Sequence, residues 1–119
     1  MTTDHIPSVL HYGILDIPVE RKSLGELGTT APEEEGGEPM QRYGNYQAAG
    51  PLVELVRSDE RPSARMRWIW LFHEMGHHGE EVAGQDLDDK LLDWLGWFIF
   101  QLLAQNPGLQ EAMLRDLAG

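Results

Sequence analysis

Two long runs of apolar periodicity fill most of the second half of this 119-residue chain. "SDERPSARMRWIWLFHEMGHH" (58–78) has start signals at Ser58, Asp59 and Pro62 and then helical spacing to about His78, where Gly79 reads as the stop. "DLDDKLLDWLGWFIFQLLAQ" (86–105) opens on acidic residues, which a helix dipole favours at its start, with Asp88 as a candidate N-cap. It closes at Asn106–Pro107, and a short third helix over about 108–117 carries Leu109, Met113, Leu114 and Leu117 on one side. Two long helices in so short a chain must bury their apolar faces against each other or against a sheet.

The first half supplies the sheet. "SVLHYGILDIPVE" (8–20) mixes β-branched and aromatic residues and reads as one or two short strands, broken at Gly13 and ended near Pro18. "PLVELV" alternates, with Leu52, Glu54 and Val56 on one face and Val53 and Leu55 on the other. The segment 42–49 can pair with it or with the first strand. Between them, "KSLGELGTTAPEEEGGEPMQ" (22–41) is rich in Gly, Pro and Glu and reads as a mobile acidic loop. It is either a solvated linker or a cover over a cleft. The expectation is a single α+β domain over 1–119, with a sheet of two to four strands packed on two long helices and a short C-terminal helix.

The first helical run ends in "HEMGHH", in which His73, Glu74 and His77 spell H-E-x-x-H. Positions i and i+4 of a helix share a face, so His73 and His77 can both bind one ion. Glu74 then stands beside that ion and can take a proton from water held at an open coordination position. Met66 and Trp70 extend the same face, and Ile69, Phe72 and Gly76 form a neighbouring stripe. The competing reading is a surface patch of histidines on an acidic helix.

A catalytic zinc site takes a third protein ligand. His78 points about 100° from His77. Glu80 and Glu81 read as solvated linker, Asp86 precedes the second helix, and Asp88 is better used as a cap. Asp89 lies one turn before the core stripe Leu92, Leu95, Gly96, Ile99, Leu102 and Leu103, and is the choice for the third ligand. Asp93 is either an acceptor for a ligand imidazole's other N–H or a solvated carboxylate. Asp89 is short, so the helices must pack closely, and Gly76 and Gly96 are expected to allow this. His5 and His11 are isolated and read as surface or strand histidines rather than ligands, with His5 near the N-terminus the one of the two that could reach the metal.

Composition excludes other chemistry. The chain has no cysteine, hence no disulfide, thiolate ligand or thiol nucleophile, and this is compatible with the cytoplasm. No secretory signal and no membrane-spanning run is evident. With 20 acidic against 9 basic residues the net charge is −11, which repels nucleic-acid backbones.

"WLFHEMGHH" followed by "LDDKLLDWLGWFIFQLLAQNP" resembles small phage and prophage proteins with a minimal gluzincin-like metallopeptidase domain, over roughly residues 43–107. It is more distantly similar to ImmA/IrrE-type peptidases and single-domain minigluzincins. The resemblance implies a zincin-like fold and a zinc-dependent metallopeptidase acting on a peptide or protein substrate. It implies a zinc ion held by His73 and His77, with Glu74 as general base. Asp89 falls where the family usually has a glutamate ligand, which is a departure. The resemblance also implies that "PLVELV" is the candidate strand for pairing with an extended substrate. The alternative function is a non-catalytic zinc-binding protein or a phage accessory protein that binds a partner, for which Trp68, Trp70, Trp94 and Trp97 are candidates if exposed.

Overall fold

The computed structural model describes residues 5–30, 36–60 and 63–118. In chain order the elements are β1 (Val9–Tyr12), β2 (Leu15–Lys22), α1 (Leu24–Leu27), β3 (Gly44–Gln47), β4 (Leu52–Val56), α2 (Ala64–Ala83), α3 (Asp89–Gln105) and α4 (Leu109–Ala118). The class is α+β, with a mixed four-stranded sheet in the order β1-β2-β4-β3. β1 and β3 are antiparallel to their neighbours, while β2 and β4 run parallel. No helix is long and apolar enough to cross a membrane among the described residues.

The break at Gly13 falls in the turn between β1 and β2, where Gly13 has φ +62°. The expected end at Pro18 does not hold, because β2 continues to Lys22. Val19 N–H bonds to Ser8 O at 2.8 Å, so Val9 and Pro18 form the intervening pair that exchanges no hydrogen bonds. Proline there removes no bond to β1, and pairing with β4 begins only at Val19.

Alternation sorts the core. Ile17 and Val19 of β2 and Val53 and Leu55 of β4 are buried with Ile6, and Leu71 of α2 packs onto them. Segment 42–49 pairs through β3 with β4 and not with the first strand. The sequence 22–41 is more ordered than its composition suggests. Lys22 belongs to β2, Ser23 and Glu26 form a reciprocal capping box on α1, Leu27 is buried, and Thr29 bridges to Gln41. Residues 31–35 of that segment lie outside the described residues.

Ser63, rather than Ser58 or Asp59, caps α2, accepting from Met66 N–H; Pro62 lies outside the described residues. The helix runs through Gly79 to Ala83, and Gly84, at φ +66° and ψ 30°, is its left-handed end. Gly79 has an open surrounding and is simply a tolerated helical residue. Arg67, Leu71, Glu74 and His78, spaced 4, 3 and 4 residues apart, are buried, whereas Met66 is exposed and Trp70 half-buried. The buried face is therefore rotated from the expected one. Helix α2 has neighbours on two sides, with β3 and β4 on one and α3 on another.

Asp88 caps α3 as expected, its side chain accepting from Lys90 N–H. Of the predicted core stripe, Leu92 and Gly96 are buried, but Leu102 and Leu103 are exposed. Trp68 and Trp70 pack against the core, while Trp94 and Trp97 are 53% and 44% exposed. The four large apolar residues of α4, Leu109, Met113, Leu114 and Leu117, are exposed as well.

Candidate metal centre

Helix α2 by itself brings the motif together. One side-chain ligand atom each of His73, Glu74 and His77 lies within 4.8 Å of the others. His73 Nε2 and His77 Nε2 are 3.2 Å apart, and Glu74 Oε1 is 3.9 Å from each. Asp89, the first residue of α3, puts Oδ1 3.5 Å from His77 Nε2 but is not part of that mutual cluster. His5 and His11 do not join the cluster, and His11 instead pairs with Asp16 at 2.6 Å.

Both ring nitrogens facing away from the centre meet carboxylates. Asp93 Oδ1 lies 2.8 Å from His73 Nδ1, in contact but off the line of an ideal N–H···O bond. Glu80 Oε1 lies 2.7 Å from His77 Nδ1. Asp93 thus stands beside the His73 ring without completing the hydrogen bond that the acceptor reading needs. Glu80 was missed, because the helix was expected to stop at Gly79 and so to leave Glu80 in a linker. Its spacing of three residues from His77 is the signal that would have found it once the helix is extended.

Carboxylates accept hydrogen bonds and do not donate them, so Glu80 favours the His77 tautomer that carries its proton on Nδ1 and turns a lone pair on Nε2 toward His73. Two lone pairs and a carboxylate oxygen facing one point repel unless a proton or a metal cation lies between them. Two imidazole nitrogens on a tetrahedral zinc, each about 2.0–2.1 Å from the ion, stand about 3.3 Å apart. The 3.2 Å spacing found here matches that edge, so the donor set fits zinc. Burial, followed by the neighbouring His77, lowers the His73 pKa against the opposing pull of Asp93, and so favours the neutral form a metal requires.

Glu74 is 6% exposed and lies against β3, where a Cβ on Gly44 would meet Glu74 Cγ at 3.1 Å. Its Oε2 has no partner among the described residues. Burial pushes its pKa up to about 7, with the charge of His77 opposing. A carboxylate poised there can accept and return protons near neutrality.

A cavity of about 460 Å³ opens beside the cluster. Asn45 and Tyr46 of β3 form one wall, and Glu74, His77, Glu80 and Glu81 form the other. Tyr46 Oη donates to Glu81 Oε2 at 3.0 Å and sits 2.8 Å from Nδ1 of the buried His78. His78 thus faces the sheet, consistent with its exclusion as a ligand. Strand β4 lies between β2 and β3, so it is interior; the edge on this side is β3. Edge against interior position depends on strand order, which "PLVELV" does not encode.

Gly76 and Gly96 both lie where α2 meets α3, though not against each other. A Cβ on Gly96 would stand 2.9 Å from Ile69 O and 3.2 Å from His73 N, and one on Gly76 would stand 2.8 Å from Leu92 Cδ2. Compared with known proteins, the chain matches no family model, no curated protein and no solved structure.

Proposed function

We propose that this chain is a zinc-dependent metallopeptidase of the gluzincin-like type, acting on peptide or protein substrates. The observation that carries the reading is the convergence of His73 Nε2, His77 Nε2 and Glu74 Oε1 on one point, with a carboxylate behind each imidazole. His73, His77 and Asp89 would hold the metal, and Asp93 and Glu80 orient the rings. Glu74 Oε1, at 3.9 Å from both nitrogens, is farther out than a tetrahedral edge of about 3.3 Å, which suits a base beside the ligand shell. A zinc ion supplies Lewis-acid polarisation of a scissile carbonyl and makes water acidic enough to ionise near neutral pH.

The protein's own part is proton handling and alignment. Glu74 takes a proton at its carboxylate and returns it to the departing amine nitrogen. The strand β3 borders the cavity and, among the described residues, is the sheet edge, so its outer backbone groups are offered to an extended chain.

The test is metal analysis of the purified protein alongside hydrolysis of an unstructured protein substrate. Glu74→Gln is expected to keep its zinc and to lose about 10²–10⁴-fold in rate. Unchanged hydrolysis in that variant, or a wild type that takes up no zinc, overturns the reading. Zinc uptake with no hydrolysis in the wild type would favour the non-catalytic alternative. Asp89→Ala is expected to weaken zinc binding, and unchanged stoichiometry and affinity would remove Asp89 from the site.

A further inference from the structure

Glu80 makes three contacts at once. It lies in the last turn of α2, three residues beyond His77, with a side chain only 12% exposed. Oε1 accepts from His77 Nδ1 at 2.7 Å, and Oε2 accepts the Leu87 N–H at 2.7 Å. Its backbone carbonyl accepts the Gln85 N–H at 2.9 Å. Leu87 immediately precedes the cap Asp88, and Asp89 opens α3. One carboxylate therefore touches a motif histidine and the connection that leads to the second helix.

We propose that Glu80 is the positioning residue of this site: it fixes the His77 tautomer that leaves Nε2 bare, and it ties down the segment that delivers Asp89. The tautomer follows from chemistry, since a carboxylate can only accept and the hydrogen must sit on Nδ1. The tie follows from place. Holding Leu87 sets where α3 begins, and from that start Asp89 Oδ1 comes to 3.5 Å from His77 Nε2. Both bonds are charge-assisted, hence short and directional. The part of this proposal that concerns metal affinity rests on the metallopeptidase reading, and the part that concerns His77 does not.

Glu80→Gln separates the roles. The amide keeps the side chain's size, but it has one oxygen and cannot accept from both N–H groups in the native arrangement. Two readouts follow. In the metal-free protein at pH 8, nitrogen NMR of the histidine rings is expected to show His77 losing its preference for Nδ1–H. In zinc titrations against a competing chelator, affinity is expected to fall about 10–100-fold. Asp89→Ala is expected to cost less affinity in the Glu80→Gln background than in the wild type, because its carboxylate has already lost its placement.

A His77 ring unchanged in tautomer, or zinc affinity within about twofold of wild type, overturns the proposal. Reduced thermal stability with both readouts unchanged also overturns it, leaving Glu80 a staple for the helix end. A wild type that takes up no zinc overturns the metal reading instead. The tautomer measurement, made without metal, then decides the role of Glu80 by itself.

Discussion

Glu74 is the only acidic side chain among the described residues that is buried in the core sense, and its cost sets a pH dependence. Its folded pKa of about 7 lies above the ordinary 4.5, so the folded chain holds an extra proton between those values. The metal-free protein should therefore lose stability as pH rises from about 4.5 to about 7. Glu74→Gln removes that loss and should be more stable than wild type at pH 8 by on the order of 2–3 kcal/mol, with little difference at pH 4. Urea unfolding of both proteins at the two pH values measures this. The lowered His73 pKa has the opposite slope below 6.5. A cation beside Glu74 favours its ionised form, so zinc uptake near pH 6.5 should release protons, seen as a dependence of binding heat on buffer ionisation enthalpy.

At the level of elements, the contact between α2 and α3 depends on two glycines with different neighbours. Gly96→Ala would press a methyl against the backbone of Ile69 and His73, which cannot move without shifting the helix that carries the histidines. It should destabilise the protein by about 1–3 kcal/mol and weaken zinc binding with it. Gly76→Ala meets only the tip of the Leu92 side chain, and the gain in helix propensity of about 1 kcal/mol offsets part of that clash. Its effect should be smaller, and thermal melts of the two variants check the ranking. The helices and the approximate place of the glycines were legible because 3.6-residue periodicity and the H-E-x-x-H spacing are local. The end of α2 was not, because both Gly79 and Gly84 are possible stops, and what separates them is the left-handed backbone at Gly84. The order in 23–30 was also hidden. It depends on a capping box, on a bridge to Gln41 and on the Leu24 N–H bonded to Glu60, which lies far along the chain.

For the whole molecule, a bound ion would link α2 to α3 and couple metal to global stability. Zinc at about 1,000 times its dissociation constant should add about 4 kcal/mol and raise the melting temperature by on the order of 10 °C, reversed by chelator. An unchanged melting curve with zinc would count against a site shared between the helices. The motif residues themselves were readable, but the orientation of α2 was not. Which face meets the sheet depends on packing against Val53 and Leu55, and this turned Glu74 inward and left Met66 outside. The exposed state of Trp94 and Trp97 was unreadable for the same reason, since apolar periodicity marks a stripe without naming its partner. Every side chain placed at the proposed centre comes from residues 73–93, a single helix–turn–helix stretch, while the sheet supplies a wall and a lining. The donor set is thus modular: insertions or exchanges in loops upstream of α2 leave its internal spacing untouched, and this hairpin is the unit to transplant when the centre is rebuilt on another scaffold.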